Sequence, residues 1–361
     1  GAGAGPVLSG ASLPVENSPG HRPAAGRPDP MPLVPALPQH PRLLPGLSVL
    51  RRDADHLQVG VGSRAVVLPD HPDVRRLLTR LAAGGPDAAA DRPAPDSPAG
   101  RALARLVGAA LLVDGAALHA ASPRAEVDPV AERAVAAAWC ADPRSAPRRW
   151  AARRDVGVHL DVPAGDRPGL TRLIGASGVP LVDGVRERSP DTPVLVVRDR
   201  EPLREELDVL QRDDVPHLLV RPALDRVVLG PFVAPGRTAC LRCLDAHATE
   251  LDPRWPLLVE QLARSTVVSP CDPTLWQVAT GWAVHDLVRW LDGEQPSTWS
   301  TTITLGPGLA PEVRVHRRHP RCGCGWAELG GRHDGPTPGH QKSESSLPSI
   351  ERRFSREQVS Q

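Results

Sequence analysis

The spacing of apolar side chains divides this 361-residue chain into two regions with different patterns. In the first region, Leu57, Val59 and Val61 alternate with polar or small residues, which is the period-two signature of a half-buried strand. Pro72 and Gly84-Gly85 mark the two ends of a predicted helix that follows. Its apolar positions recur at i, i+3, i+4 and i+7, and are Val74, Leu77, Leu78 and Leu81.

Further elements complete a small first domain. A tight Gly-Ser turn leads into a predicted strand at Arg64–Leu68, since glycine adopts the positive φ that such turns require. A second helix follows, and Asp114-Gly115 is predicted to turn another hairpin between residues 110–113 and 116–118. Strands, then helices, then a hairpin together predict a winged-helix-like domain over residues 41–122.

From residue 128 onward, short apolar runs alternate with helical segments. The predicted strands are Asp155–Val162, Val179–Val182, Val194–Val197, His217–Arg221 and Asp225–Val233. Such alternation is typical of a mostly parallel sheet covered by helices on both faces, which makes the fold class α/β. A long helix at Pro273–Leu291 and two late strands complete this second domain, which we expect to span residues 123–326.

Four of the six cysteines form two close pairs. Cys240 and Cys243 form a C-x-x-C pair after an apolar run, and Cys322 and Cys324 form a tighter pair far downstream. Four thiolates can close one tetrahedral structural zinc site. A redox C-x-x-C motif, or two unrelated pairs of buried thiols, are the alternatives. The presence of the second pair favours metal, although Cys-x-Cys is narrower than the usual spacing.

Composition and charge restrict the partners. The formal net charge is +1, so there is no electrostatic reason to expect nucleic acid or a membrane surface as a partner. The only lysine is Lys342, so we expect no lysine in the folded part to bind phosphate. The cysteine pattern does not indicate a disulfide framework, and no apolar run is long enough to span a bilayer. We therefore expect a cytoplasmic location.

Both ends of the chain have compositions typical of disorder. Residues 1–40 are rich in Gly, Pro, Ala and Ser, and residues 327–361 are polar and lack periodicity. The only methionine is Met31, which suggests that the residues before it are an upstream extension or a misassigned start.

Two cysteine-bearing segments and the start of the first domain resemble a known family. Gly230–Asp245 and His319–Gly325 resemble the ThiF-like, ubiquitin-activating-type fold. The likeness is to its cyclodehydratase-associated branch in the biosynthesis of thiazole/oxazole-modified microcins and related ribosomal peptides. Pro41–Leu50 with Leu57–Val61 is similar to the leader-recognition winged helix of those proteins. The resemblance covers roughly residues 41–326.

This resemblance implies a protein that binds the leader of a precursor peptide and hands the core region to a YcaO-type partner. The partner then uses ATP to cyclise Cys, Ser or Thr onto the preceding amide. The resemblance also implies a structural zinc, which carries over onto Cys240, Cys243, Cys322 and Cys324. Relatives of this fold often pair as homodimers.

The chain departs from an active adenylating enzyme where a Gly-rich phosphate loop would lie. Residues 163–169 have no G-x-G-x-x-G, and Asp166 places a carboxylate where phosphate would bind. Asp183 could sit where a ribose-binding acid lies, and Asp199 followed by Arg204 resembles an Asp…Arg pairing near the metal of active relatives. Solvated surface charge is the alternative for these residues. ATP binding is not expected.

The candidate peptide-binding residues are on the first domain. An extended peptide could add to the strand edge at Arg64–Leu68, with a basic helix beside it favouring acidic side chains. The residues concerned are Arg64, Val66, Leu68, Arg101 and Arg105. Contact of the arginines with DNA phosphates, or a solvated basic face, are the alternatives.

We therefore expect a non-catalytic adaptor that is not an enzyme by itself. It would bind a leader peptide and dock a YcaO-type partner. The first rival is a ThiF-like enzyme that uses ATP to adenylate a peptide C-terminus. In that case Cys271 could serve as a thioester nucleophile, although a single unpaired cysteine is more often inert. The second rival is a zinc-containing winged-helix DNA-binding regulator.

Overall fold

The computed structural model describes residues 37–84, 92–121, 129–182 and 191–324. The predictions for Met31, for Asp183 and for most of the two ends of the chain lie outside these ranges. The elements of the first part are β1 Pro41–Leu43, β2 Val49–Arg51, β3 His56–Val59, β4 Val66–Pro69, α1 Pro72–Ala83, α2 Pro98–Gly108, β5 Leu112–Asp114 and α3 Gly115–Ala121.

The second part alternates between helices and strands before it ends in a hairpin. Its helices are α4 Pro129–Ala141, α5 Ala146–Asp155, α6 Arg167–Ala176, α7 Arg204–Arg212, α8 Leu241–Leu251, α9 Trp255–Ala263 and α10 Pro273–Leu291. Its strands are β6 His159–Asp161, β7 Val194–Val197, β8 His217–Ala223, β9 Arg226–Val233, β10 Thr301–Leu305 and β11 Pro311–Val315.

Helix α1 confirms the helical prediction made from apolar spacing. Pro72 is in its first turn, and the four predicted apolar residues are its buried residues. The His71 side chain accepts a hydrogen bond from Asp73 N, and Gly84 ends the helix with a φ of +67°. Glycine adopts this left-handed conformation without a steric penalty. Local rules therefore fix both ends of the helix and the face that it buries.

The predicted hairpin at Asp114-Gly115 is wrong. Strand β5 pairs antiparallel with β1, and helix α3 begins at Gly115. The Asp114 carboxylate accepts hydrogen bonds from Ala117 N at 3.0 Å and from His40 N at 3.1 Å, so it caps the helix and anchors the chain before β1. Aspartate is favoured both at helix N-caps and in turns, so the local sequence could not decide between them.

The small sheet of the first part has the strand order β2-β3-β4, with both pairs antiparallel. Strand β4 is therefore an edge strand. Its side chains Val66 and Leu68 are buried in a core that includes α1 and α2. Helices α4 and α5 contribute Trp139 and Trp150 to the same core. The boundary expected between residues 122 and 123 stays a prediction, because two helices beyond it share this core.

The large sheet is mixed, so the expectation of a mostly parallel sheet is wrong. Its order is β11-β10-β9-β8-β7-β6, and only β6–β7 and β7–β8 pair in parallel. The other three neighbouring pairs are antiparallel. Leu224-Asp225 is the only link between β8 and β9. A two-residue link can join antiparallel strands, whereas a parallel pair needs a long crossover.

Helices cover both faces of the large sheet. Leu195 and Val197 of β7 pack in one core with α6 and α10, whereas Val194 and Val196 pack on the other face with α7 and Leu241 of α8. This alternation follows from the two-residue period of a strand. Within the described residues, no helix combines the length and the apolar character needed to cross a bilayer.

Candidate metal centre

The first cysteine pair lies where the chain turns from the large sheet into helix α8. Strand β9 ends at Val233, and Cys240 is the residue that precedes the first turn of α8. Cys243 lies in that first turn, and its main-chain N–H bonds to Cys240 O at 3.0 Å. A helix N-terminus stabilises nearby negative charge, which favours the thiolate form of both residues.

The second pair reaches the same place after strand β11. Cys322 Sγ lies 3.5 Å from Cys240 Sγ, and Cys324 Sγ lies 3.4 Å from Cys243 Sγ. Cys240 Sγ and Cys243 Sγ are 3.8 Å apart, and all four sulfurs lie within 4.8 Å of one another. Four sulfurs bound at about 2.3 Å in a regular tetrahedron would be about 3.8 Å apart. The four cysteines could therefore hold one metal ion.

Hydrogen bonds among the four thiols shift their pKa values in opposite directions. The pKa of Cys243 lies far below its ordinary range, chiefly because the Cys240 thiol donates to it, and the main-chain N–H of His319 also contributes. The same contact raises the pKa of Cys240. A hydrogen bond from Cys240 lowers the pKa of Cys324 to about 7. A bound cation would replace the shared protons and favour the thiolate at all four positions.

One side of the cysteine cluster borders a cavity of about 470 Å³. Its lining includes Cys240, Cys322 and Cys324, together with His217 at the start of β8. Burial lowers the pKa of His217 to about 4, so this imidazole is neutral at physiological pH. Cys240 and Cys243 are buried, whereas Cys322 and Cys324 are half-buried. A metal ion or a chelator can therefore approach from the side of the second pair.

Three further side chains lie beside the cysteines, and sequence reasoning missed how they are used. His247, Glu250 and His319 have ligand atoms within 4.8 Å of one another, so by distance they too could hold a metal ion. His247 lies on helix α8, and its side chain is 40% exposed. Its Nε2 lies 3.0 Å from Arg317 O, and its ring packs edge-on against that of His319 at 4.7 Å.

Arg204 is buried in an ion-pair network, so the reading of a solvated surface charge is wrong. Its guanidinium donates to Glu201 at 2.7 Å and to Asp245 at 2.6 and 3.0 Å. Arg221 donates to the other oxygen of Glu201 at 2.6 Å, and the Trp255 indole donates to Asp245. These contacts connect the start of α7 to β8 and α8.

Asp199 does not share this network. It is exposed and pairs with the adjacent Arg200 at 3.1 Å, and that contact lowers the pKa of Asp199. The structure therefore does not bring Asp199 and Arg204 into one pair. Any role of these residues in nucleotide binding stays a prediction.

Contacts from the protein itself fill the carboxyl ends of β6 and β7. Arg198 Nη1 donates to Asp161 O at 3.0 Å, and Nη2 bonds the Asp161 carboxylate at 2.8 Å. In the loop before α6, Asp166 accepts from the Trp276 indole at 3.0 Å. Arg167 Nη2 turns back to Leu160 O at 2.9 Å. The crevice at the carboxyl ends of parallel strands is where open α/β sheets bind nucleotides, and here internal hydrogen bonds occupy its polar groups.

Comparison with known proteins identifies the fold. No protein-family model matches the sequence, and no curated protein matches it. Two solved structures are similar over most of this chain. One is a heterocyclase in complex with substrate and cofactor, at 18% identity and a TM-score of 0.54, with coverage of 78% of this chain and 39% of that chain. The other is the heterocyclase TruD, at 19% identity and a TM-score of 0.55, with coverage of 81% of this chain and 44% of TruD. E. coli MccB with succinimide is similar at 12% identity, a TM-score of 0.50, and coverage of 79% of this chain and 98% of MccB.

The chain has a heterocyclase-like fold. At these identities the likeness shows the fold alone. The chain spans only about two fifths of the length of the two heterocyclase chains, which it covers to 39% and 44%. Any activity, substrate or partner taken from those proteins is therefore a matter for proposal.

Within the heterocyclase-like fold, the predicted peptide-binding residues lie around β4. Arg64 is in a short 3₁₀ turn before that strand, and its Nη1 lies 3.3 Å from Cys140 O. Helix α2 packs against β4 and carries Arg101 and Arg105, which are both exposed. The side chains of the other two predicted residues, Val66 and Leu68, lie in the core. Peptide binding at this strand stays a prediction.

Proposed function

We propose that this protein is a non-catalytic adaptor in the modification of a ribosomally made peptide. It binds the leader of the precursor peptide as an added strand on β4 and presents the core region to a YcaO-type cyclodehydratase. The metal held by the four cysteines is zinc, and its role is structural. The observation that carries the proposal is the outer edge of β4, which pairs with no further strand among the described residues of a heterocyclase-like fold.

The hydrogen-bond pattern of the small sheet identifies the outward-facing groups of β4. Asp70 N donates to Asp55 O at 2.7 Å just beyond the strand, so the bonded pairs alternate as Leu57–Leu68 and Val59–Val66. The main-chain N–H and C=O of Val67 therefore point away from β3. An added peptide strand would bond to these two groups, whereas the side chains beside them would select among peptides.

The basic helix beside this edge suits an acidic partner. Arg105 and Arg101 lie on α2, and Arg101 donates a hydrogen bond to the carbonyl oxygen of Asp96 just before the same helix. Exposed guanidinium groups attract carboxylates and raise association rates at low salt. We therefore expect acidic residues in the leader that binds here.

The internal hydrogen bonds at the carboxyl ends of β6 and β7 support an adaptor over an adenylating enzyme. A nucleotide there would have to displace the contacts of Arg198 with Asp161 and that of Asp166 with Trp276. In the proposal the YcaO-type partner binds ATP, and this chain supplies peptide recognition. Four cysteine ligands leave no open position on zinc for a substrate, which is typical of structural sites.

Two matched proline variants test the proposal. Val67→Pro removes the outward N–H of β4, and Val49→Pro removes the corresponding N–H of β2 at the opposite edge of the same sheet. Proline is tolerated on edge strands where the lost N–H faces outward, so both variants should fold. We expect Val67→Pro to weaken binding of a fluorescent leader peptide from the neighbouring precursor gene at least tenfold, by roughly 1.4 kcal/mol or more. Val49→Pro should bind like the unaltered protein.

The rivals give different outcomes. Magnesium-dependent ATP binding or pyrophosphate exchange by the purified chain would support the adenylating enzyme. Duplex DNA binding that weakens steeply with salt would support the regulator. Equal leader affinity for both proline variants would contradict strand addition at β4.

A second copy of the chain is a further proposed partner, and sedimentation would detect the homodimer.

A further inference from the structure

We propose that His247, Glu250 and His319 form a clasp that holds the second cysteine pair against the first, so that the metal centre is assembled before metal binds. This inference rests on the proposed metal site and deepens it. His247, Glu250 and His319 are positioning residues that act through Cys322 and Cys324, and none of them is a metal ligand.

The clasp starts from one face of helix α8. Cys243, His247 and Glu250 lie at i, i+4 and i+7, a spacing that places them in a row along the helix. The row faces the segment that follows β11. His247 Nε2–H donates to Arg317 O at 3.0 Å, and Glu250 accepts from Arg321 Nη2 at 2.9 Å. One helix face therefore carries both a cysteine ligand and two groups that bind the segment with the other cysteines.

His319 is the centre of the clasp. It is only 4% exposed, and its Nε2 lies 3.0 Å from Glu250 Oε1. Its carbonyl oxygen accepts from Cys322 N at 3.0 Å, so its position fixes the turn that carries Cys322. Its ring packs edge-on at 4.7 Å against that of His247, which lies one turn after Cys243 on α8. His319 thus contacts the helix that carries one cysteine pair and fixes the turn that carries the other.

The hydrogen bonds of His319 argue against a second metal ion at these three residues. His319 Nδ1 accepts from Arg321 N at 3.1 Å, so Nδ1 carries no proton, and the neutral ring must carry its proton on Nε2. That Nε2–H donates to Glu250, and no lone pair remains there for a metal ion. The Arg321 guanidinium, bonded to the same Glu250 oxygen, would also repel a cation.

The clasp matters because the large sheet positions the chain only as far as β11. That strand ends at Val315, and Cys322 and Cys324 follow seven and nine residues later. The His319–Glu250 bond holds this last segment against α8, which lowers its chain entropy before any metal binds. Once the clasp has formed, the metal ion orders only a few residues, and its affinity is correspondingly higher.

Zinc affinity tests the clasp. Chelator competition should show zinc binding 10–100-fold weaker in Glu250→Ala and His319→Ala than in the unaltered protein, the usual effect of losing groups that orient metal ligands. Glu250→Gln keeps an acceptor oxygen and should recover most of the affinity. Glu260→Ala, which removes the exposed Glu260–Arg264 pair of α9, is the matched control and should bind zinc normally.

Cobalt substitution and metal stoichiometry separate positioning from ligation. The cobalt spectrum at saturation should be the same in Glu250→Ala and the unaltered protein, since all four sulfur ligands remain. Unchanged zinc affinity in both alanine variants would overturn the clasp. So would two zinc ions per chain with one of them lost in Glu250→Ala, because that result would make the three residues a second metal site.

A metal-free measurement keeps this inference separate from the proposed metal. A chelator keeps the protein free of metal, and oxidised glutathione is then added. One thiol of each pair joins the other in a disulfide, and the oxidised glutathione is reduced to two glutathione molecules. Disulfide formation between the pairs should be on the order of tenfold slower in Glu250→Ala, because the effective concentration of the thiols falls. A slower rate together with no zinc binding by the unaltered protein would reject the metal and retain the clasp. Equal rates would reject the clasp.

Discussion

The polar groups at the two ends of the strands of the large sheet are arranged differently. We call the end near the start of β8 the cysteine edge and the end where β6 and β7 finish the filled edge. At the edge near the start of β8, four thiols converge with no other side chain between their closest pairs, which are 3.4 and 3.5 Å apart. At the edge where β6 and β7 end, Arg198 is already bonded to the Asp161 carboxylate and main chain. The first edge has ligand atoms that could bind a cation, whereas the second has polar groups that already have partners.

This difference shows how to separate a binding site from a structural network in the same fold. Clustered thiols that stay reduced share protons or bind a metal, since each thiolate raises the free energy of placing another beside it. Paired charges such as Arg198 and Asp161 satisfy each other and gain little from a ligand. We therefore expect the filled edge to have a structural role and the cysteine edge to bind a metal ion.

The largest expected effect is at the cysteine edge. Replacing Cys243 with Ser should abolish stoichiometric zinc binding and lower the unfolding free energy by about 4 kcal/mol when free zinc is a thousandfold above its Kd, because only the folded chain holds the ion. Urea unfolding with and without zinc would measure this. Cys271→Ser is the control, since Cys271 is a half-buried cysteine outside the cluster. Normal zinc content in Cys243→Ser would contradict a four-cysteine site.

The next effect concerns Arg204, which the sequence analysis paired with Asp199 in a possible nucleotide site. Arg204→Met should lower the unfolding free energy by about 3 kcal/mol, because Glu201 and Asp245 would remain as buried charges without their partner. Equilibrium unfolding in urea would measure the loss. Arg200→Met, at an exposed pair nearby, should have no measurable effect on stability. A stable Arg204→Met variant would show that the network contributes little.

A smaller effect is expected at the filled edge itself. Arg198→Ala should lower the unfolding free energy by about 1.5–3 kcal/mol, because hydrogen bonds to a charged group are lost from a largely buried guanidinium. It should not create a thermal shift with magnesium and ATP, since Asp166 remains bonded to Trp276. An ATP-dependent shift in the variant would mean that Arg198 alone closes a working nucleotide site.

The sequence predicted the elements that depend on local rules. Helix α1 follows from apolar spacing with Pro72 and Gly84 at its ends, and β7 has the predicted bounds Val194–Val197. The convergence of Cys240 and Cys322 was also predictable, because two pairs of metal-ligand residues have few other uses.

Other features depend on contacts that no local pattern records. Asp114 could cap a helix or form a turn, and only its pairing with His40 and α3 decides between them. The burial of Arg204 depends on Asp245, which is 41 residues away. The row of His247 and Glu250 four and seven residues after Cys243 was a usable signal, although its partner His319 is distant in sequence.

The smallest expected effect is at Asp199, beside the filled edge but outside its contacts. The Arg200 guanidinium lowers the pKa of Asp199, so the pair stabilises the fold above the ordinary carboxyl pKa of about 3.9 and loses that effect as pH falls through the folded-state value. Solvent screens this exposed pair, so Asp199→Asn should change the unfolding free energy at pH 7 by less than about 0.5 kcal/mol. At a pH below the folded-state pKa of Asp199, the variant and the unaltered protein should be equally stable. Urea unfolding at both pH values would measure this, and a loss at pH 7 as large as that of Arg198→Ala would mean that Asp199 belongs to the network of the filled edge.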